Sequence, residues 1–160
     1  INMNNKPLKL IVFAFLVLAF GVNFAGAQKT PANAQEYKIT NLKIVPYDSN
    51  TGKFLDELKA EGEQTAYFND YNISLMVVAE ISVGEGEYAF GKAVQITATE
   101  GKKVKRTKTE QMPPVEAGGK YYVPLWLDAG MCDKVTITAK ITGQKTASTM
   151  SRSVLFQCGE

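Results

Sequence analysis

The sequence predicts an all-β fold, a two-sheet antiparallel sandwich of about seven strands, preceded by an N-terminal signal-peptide helix. Three observations carry this reading. Short runs rich in Val, Ile, Thr and Tyr recur along the chain, separated by clusters of Gly, Asn, Asp and Pro. In the clearest run, "YNISLMVVAEISV", Ile73, Leu75, Val77, Ala79, Ile81 and Val83 share one face, and Asn72, Ser74, Glu80 and Ser82 share the other. One apolar and one polar face mark an antiparallel sheet. Between these runs no stretch keeps a helical period, which excludes a parallel α/β architecture.

The chain opens with Lys6 and Lys9, followed by an apolar run from Leu10 to Val22 and the small residues Ala25-Gly26-Ala27. This is the plan of a secretory signal peptide covering residues 1–27, with Met3 as the expected initiator and cleavage after Ala27. The run is shorter than the roughly 20 residues that cross a bilayer, so no stable membrane span is expected after cleavage. The segment contains two lysines and no acid, so the chain's 18 basic residues fall to 16 against 16 acidic ones. The expected mature protein is neutral, which argues against nucleic acid as a partner. The expected location is the periplasm, the cell surface or the extracellular space.

Residues 28–36 read as a flexible lead-in, and residues 37–160 as one β-sandwich domain, long enough to bury its own core. "YKITNLKIVPY" is the first strand and "DSNTGK" its turn. "FLDELKAEG" is either a single helical turn or an irregular crossing. "KAVQITATEGKKVKRTKTE" is a hairpin turning at Glu100-Gly101, with Val94, Ile96 and Ala98 inward. "GKYYVPLWL", "KVTITAKITG" and "ASTMSRSVLFQ" complete the set.

The chain has two cysteines, Cys132 and Cys158, which flank the last hairpin. Opposing Val135 to Phe156, Ile137 to Val154 and Ile141 to Met150 places Cys158 opposite Asp133, one residue from Cys132. A bulge over Gly130 to Asp133 would bring the thiols together without turning a strand face over. In an oxidising compartment the pair is expected to form a disulfide that staples the fold. A redox role would need a close C-x-x-C pair, which the chain lacks.

The stretch "YYVPLWLDAGMCDKVTITAKITG" resembles the region around the E and F strands of bacterial immunoglobulin-like domains: a strand, an Asp-Ala-Gly turn, then a β-branched strand ending at Gly143. The resemblance covers about the last third of the chain and implies an immunoglobulin-like sandwich; it brings no functional residues with it. The cysteines lie close together near the C-terminus, and Trp126 does not lie between them, unlike antibody-type domains.

Motifs of chemistry are sparse. "GEGEYA" (Gly84 to Ala89) has dinucleotide-loop spacing, but a strand follows it and Glu85 and Glu87 would repel phosphate, so it reads as a turn. There is no histidine. That removes the usual general base and the commonest zinc ligand. The pairs Asp56/Glu57 and Glu85/Glu87 lie in polar loops and read as solvated surface. Asp48, Asn50 and Gly52 begin like a calcium loop, yet Lys59 stands where the bidentate glutamate belongs. Asn69, Asp70 and Asn72 offer oxygens without a ligand spacing. No catalytic residue, metal or cofactor is expected.

Two surface features remain. Lys102, Lys103, Lys105, Arg106 and Lys108 concentrate charge on one hairpin arm, either as a patch for an anionic partner or as lysines that protect an edge strand. In "KYYVPLWL", Tyr121, Val123, Leu125 and Leu127 share one face, and Tyr122, Pro124 and Trp126 the other. If the first face is core, the second is an aromatic stripe open to solvent, with Tyr122 and Trp126 as candidate ligand-binding residues. The functional expectation is a secreted, non-enzymatic structural or binding module of the cell envelope or surface. Its expected partners are another envelope or surface protein or a second copy through an edge strand. The alternative is a carbohydrate-binding module that uses the Tyr/Trp stripe.

Overall fold

The structure, a computed structural model, describes residues 32–59, 67–68 and 72–157. It is all-β, with no helix among the described residues. The expected signal segment, the start of the lead-in and Cys158 lie outside them. Nine strands follow in chain order: β1 (Tyr37–Asp48), β2 (Lys53–Phe54), β3 (Tyr67–Phe68), β4 (Ile73–Val83), β5 (Ala93–Glu100), β6 (Lys103–Gln111), β7 (Lys120–Leu127), β8 (Lys134–Thr142) and β9 (Ser148–Gln157). The seven long ones are the strands the sequence predicts; β2 and β3 are two-residue pieces. They form a four-stranded sheet ordered β2-β1-β4-β7 and a five-stranded sheet ordered β3-β9-β8-β5-β6. Every pairing is antiparallel except the short β3/β9 contact.

Alternation decides what lies between the sheets. Leu42, Ile44, Leu75, Val77, Ala79, Ile81, Val123, Leu125 and Leu127 come from the first sheet. Val94, Ile96, Ala98, Val135, Ile137, Ala139, Ile141, Val154 and Phe156 meet them from the second. Met112 and Met131 also join this single core. Each Val, Leu, Ile, Met or Phe side chain among them contributes about 1.5–3 kcal/mol when fully buried. On β1 the inward set changes phase, from Tyr37 and Ile39 to Leu42 and Ile44, because a bulge between Ile39 and Asn41 absorbs one residue.

Of the two readings of "FLDELKAEG", the irregular one holds over its described residues: Phe54 ends β2 and the chain then runs irregularly along β1, with the Leu55 and Leu58 amides donating to Pro46 O and Ile44 O. Two expectations need correction. The β8/β9 register pairs Val135 with Val154, Ile137 with Arg152 and Ala139 with Met150, two residues away from the expected one. A slip of two keeps every side chain on its own face, so the hydrophobic pattern cannot choose between the registers. The turn chooses. Gly143 takes φ +78°, and the Gln144 side chain binds both the N–H and the C=O of Tyr37, fixing where β8 ends. Last, Asn33 to Glu36 of the expected lead-in are anchored to the 84–87 turn: Gln35 N–H donates to Glu87 O, Glu87 N–H to Asn33 O and Gly84 N–H to Glu36 O. That approach explains the glycine pattern of "GEGEYA", because a Cβ on Gly86 would stand 2.1 Å from Asn33 O.

Side chains close the seams between the sheets. At the β1 seam, Tyr37 N–H donates to Gln144, Ile39 N–H donates to the Ser148 hydroxyl, and the Arg152 guanidinium donates to three carbonyls, those of Leu42 (2.8 Å), Leu58 (2.6 Å) and Lys59 (2.7 Å). At the other seam, Lys108 Nζ donates to Pro124 O at 3.0 Å, and Tyr121 Oη donates to Glu110. Burial and this carboxylate push the Tyr121 phenol up to about 12, the hydrogen bond being the larger cause. Pro124 sits on an edge strand, as a residue without an N–H must.

Candidate functional site

The candidate site is the outer face of the four-stranded sheet. On β7, Val123, Leu125 and Leu127 are buried, which turns Tyr122, Pro124 and Trp126 outward. Tyr122 is 49% exposed, whereas Trp126 is half-buried. The reason is company. The Tyr47 ring lies 5.6 Å from Trp126 at 59°, Phe54 lies 5.1 Å from Tyr47, and Phe54 meets Trp126 edge-on at 6.3 Å and 89°. Beneath them, Met76 on β4 pairs with Val45 on one side and Trp126 on the other. Strands β1, β2, β4 and β7 thus build one aromatic surface, with Phe54 54% exposed.

The turn before β2 places Phe54. Asp48 Oδ1 accepts the Asn50 N–H, its Oδ2 accepts the Thr51 hydroxyl, and Gly52 takes φ +66°. Asp48, Asn50 and Gly52, which begin like a calcium loop, therefore belong to a self-capped Asx turn that returns the chain so that Phe54 pairs with Tyr47, while Asn69 and Asp70 lie outside the described residues. Among the described residues, no group of three or more acidic, Cys or His side chains could hold a metal ion. Tyr47 and Phe54 are the site residues sequence reasoning missed. The available signal was Tyr47 on the outward phase of β1, followed by an Asx-Gly turn.

Beyond Tyr122 the same face becomes polar. Lys120 Nζ binds Glu80 Oε1 at 2.6 Å, which holds the Glu80 carboxyl below the usual range, and the Thr40 hydroxyl adds a bond to Glu80. Glu80 is the cross-strand partner of Tyr122, and Lys120 precedes Tyr122 by two residues on β7, so a carboxylate and an ammonium stand beside the exposed phenol ring.

The basic residues of β6 do not form a patch of one sign. Lys105 pairs with Glu100 at 3.1 Å, Arg106 with Asp128 at 3.2 Å and Lys108 with Glu110 at 2.7 Å. Among the described residues only Lys102 and Lys103 of the five lack such a pair. Strand β6 is the edge of the five-stranded sheet, and these lysines decorate it.

Glu100 also organises the segment that carries Cys132. Its Oε1 accepts the N–H groups of Cys132 (2.6 Å) and Asp133 (3.2 Å). The Cys132 amide is the main cause that lowers its pKa, with Lys105 adding to it. Lys108, then Tyr121, lowers Glu110 in the same way. A carboxyl depressed in the fold contributes stability above its ordinary value of 4.5 and loses it as pH falls through the folded value. The thermal midpoint is therefore expected to stay level down to about pH 5 and fall below about pH 4. Glu100→Gln should flatten part of that fall. An acid limb identical in wild type and variant would show that Glu100 plays no part in it.

No protein-family model matches the chain, and a comparison with curated proteins finds no match. The fold and the outer face thus define a sandwich-like β module with an aromatic surface on one sheet.

Proposed function

We propose that the chain is a secreted, non-enzymatic recognition module with an immunoglobulin-like sandwich, and that it holds its partner on the outer face of the four-stranded sheet. The strand order supports the immunoglobulin-like reading: the first, second and fifth long strands share one sheet, and the third, fourth, sixth and seventh share the other. The observation that carries the functional reading is the Tyr47, Phe54 and Trp126 ring cluster with Tyr122 beside it. Aromatic and Met side chains ringed by charge are the composition of an interaction surface. Edge pairing is the weaker route for the partner, since Pro124 interrupts the open edge of β7 and Lys108 caps its carbonyl.

The partner of first choice is another envelope or surface protein. A glycan is the second reading, favoured by the Tyr122 ring standing directly across from Glu80 of the Glu80/Lys120 pair, where sugar hydroxyls would find a donor and an acceptor. The test sets wild type and Trp126→Ala side by side, with light scattering for self-association, a glycan array for sugars, and crosslinking in the native envelope for a protein partner. Association lost with Trp126 supports the reading and names the partner class; association that survives the substitution in every assay removes it.

The Cys132/Cys158 disulfide belongs to the same secreted reading. Unfolded, unreduced protein is expected to take up no iodoacetamide, and reduced protein to take it up at both cysteines. Labelling before reduction would place the chain in a reducing compartment.

A further inference from the structure

The registers lay the outward residues of β1, β4 and β7 out in rungs, about 7 Å apart along the strands. Toward one end Val45, Met76 and Trp126 share a rung, with Tyr47 beyond them. At the other end Lys38 and Lys120 flank Ser82, and between the two ends Lys43 shares a rung with Val78 and Pro124. The face is therefore aromatic at one end and basic at the other. Its outward residues include three lysines, Lys38, Lys43 and Lys120, against one acid, Glu80. Glu80 is only 9% exposed and is already held by Lys120 and the Thr40 hydroxyl, and Lys43 adds a longer-range attraction. Lys38 and Lys43 make no ion pair among the described residues. Three cations against one anion leave two positive charges on this face, in a chain whose residues 28–160 carry equal numbers of basic and acidic residues.

We propose, resting on the reading of this face as the binding surface, that it takes an acidic polysaccharide, with sugar rings along the Tyr122, Pro124 and Trp126 column and acid groups on Lys38 and Lys43. The β1 and β7 columns stand two strand spacings apart, about 10 Å, so a sugar chain lying along β7 turns one edge toward the lysines. A second copy of this chain is disfavoured, because two faces of the same sign would meet. An extended peptide fits less well for another reason. The backbone groups of β4 are spent in its two ladders, so the face offers side chains only, and a peptide laid on it would bury its own amides unpaired. A sugar ring sets its C–H face on an aromatic or aliphatic surface and keeps its hydroxyl and acid groups at the rim. The carboxylate of a uronic acid and a sulfate ester on a sugar share the charge that the lysines need.

The probes are an oligomer of galacturonic acid and a dextran sulfate of the same length, each beside its neutral counterpart, the full methyl ester and plain dextran. Calorimetry on the secreted protein reads binding. At least one acidic chain is expected to bind saturably, about tenfold more tightly than its neutral counterpart, and to weaken as salt rises. Binding of the first alone names carboxylate as the acid, and of the second alone sulfate. Lys38→Gln combined with Lys43→Gln should weaken the acidic chain about fivefold, flatten its salt dependence and leave the thermal midpoint in place, since neither side chain serves the core. Neutral chains that bind as tightly, or acidic binding that the paired lysine substitutions do not change, overturn the acidic class; loss in Trp126→Ala would then still mark the face as the binding surface. No saturable binding of either acidic chain overturns the proposal as well, and so does a protein crosslinked to this face in place of any sugar; the comparison of wild type with Trp126→Ala then judges the face by itself.

Discussion

Arg152→Ala is expected to destabilise the protein by about 3 kcal/mol, read as a lower urea midpoint at unchanged slope. The guanidinium serves carbonyls of Leu42 and of the 58–59 segment, so one side chain ties the five-stranded sheet to the edge of the four-stranded one. Charge-assisted bonds of this kind carry more than neutral ones, and the acceptor left at Leu42 belongs to a fully buried residue. Arg152→Met separates the causes: it keeps the aliphatic stem and loses the donors, so it should cost nearly as much if hydrogen bonding dominates. Arg152→Lys should recover only part, because an ammonium cannot span acceptors as a planar fork does. Hydrogen exchange at Leu55 and Leu58, whose amides bind the same edge, should accelerate in step. A loss below about 0.5 kcal/mol would mean that Gln144 and Ser148 hold the seam by themselves.

Trp126→Ala is expected to weaken partner binding by about 100-fold, the size of a hot-spot truncation, while costing only about 1–2 kcal/mol of stability. The asymmetry follows from position. Trp126 packs on Tyr47 and Phe54 outside the sheet, and the core beneath it is closed by Leu125 and Leu127. It is also the only tryptophan in the chain, so its fluorescence reports this face directly. A partner seated there should shift the emission. Phe54→Ala should reproduce the binding loss at smaller cost, since that ring is already half in water. An unfolded Trp126→Ala protein would show that the ring holds the sheet together, and the Phe54 variant would then decide whether the face binds.

Period-two alternation made most of the long strands and most of the core readable, because one face of β4, β5, β7 and β8 is apolar and buried for most of its length; β6, an edge strand with no buried residue, was readable only as the second arm of its hairpin. Alternation also put Tyr122 and Trp126 on the outer face. Register was harder: the β8/β9 hairpin could slide by two without exposing a single apolar residue, and only a tertiary contact from Gln144 to Tyr37 settles it. Tyr47 and Phe54 escaped notice for a related reason. They meet through a turn whose geometry depends on Asp48 capping, and no periodicity encodes that. Lys92 and Arg152 were in plain view as charges in core phase. Alternation marks such residues as inward, but what they meet there is decided by the opposite sheet.

The β1 seam has a mechanical consequence. Strands β1 and β9, the first and last of the described chain, lie on different sheets and touch across this seam. Once the backbone bonds of Asn33 to Glu36 to the 84–87 turn have parted, tension that separates the two sheets would fall on the Gln144, Ser148 and Arg152 contacts. If the module is strung between neighbours, these side chains act as its fuse: the seam then yields, and each sheet keeps its own strands paired.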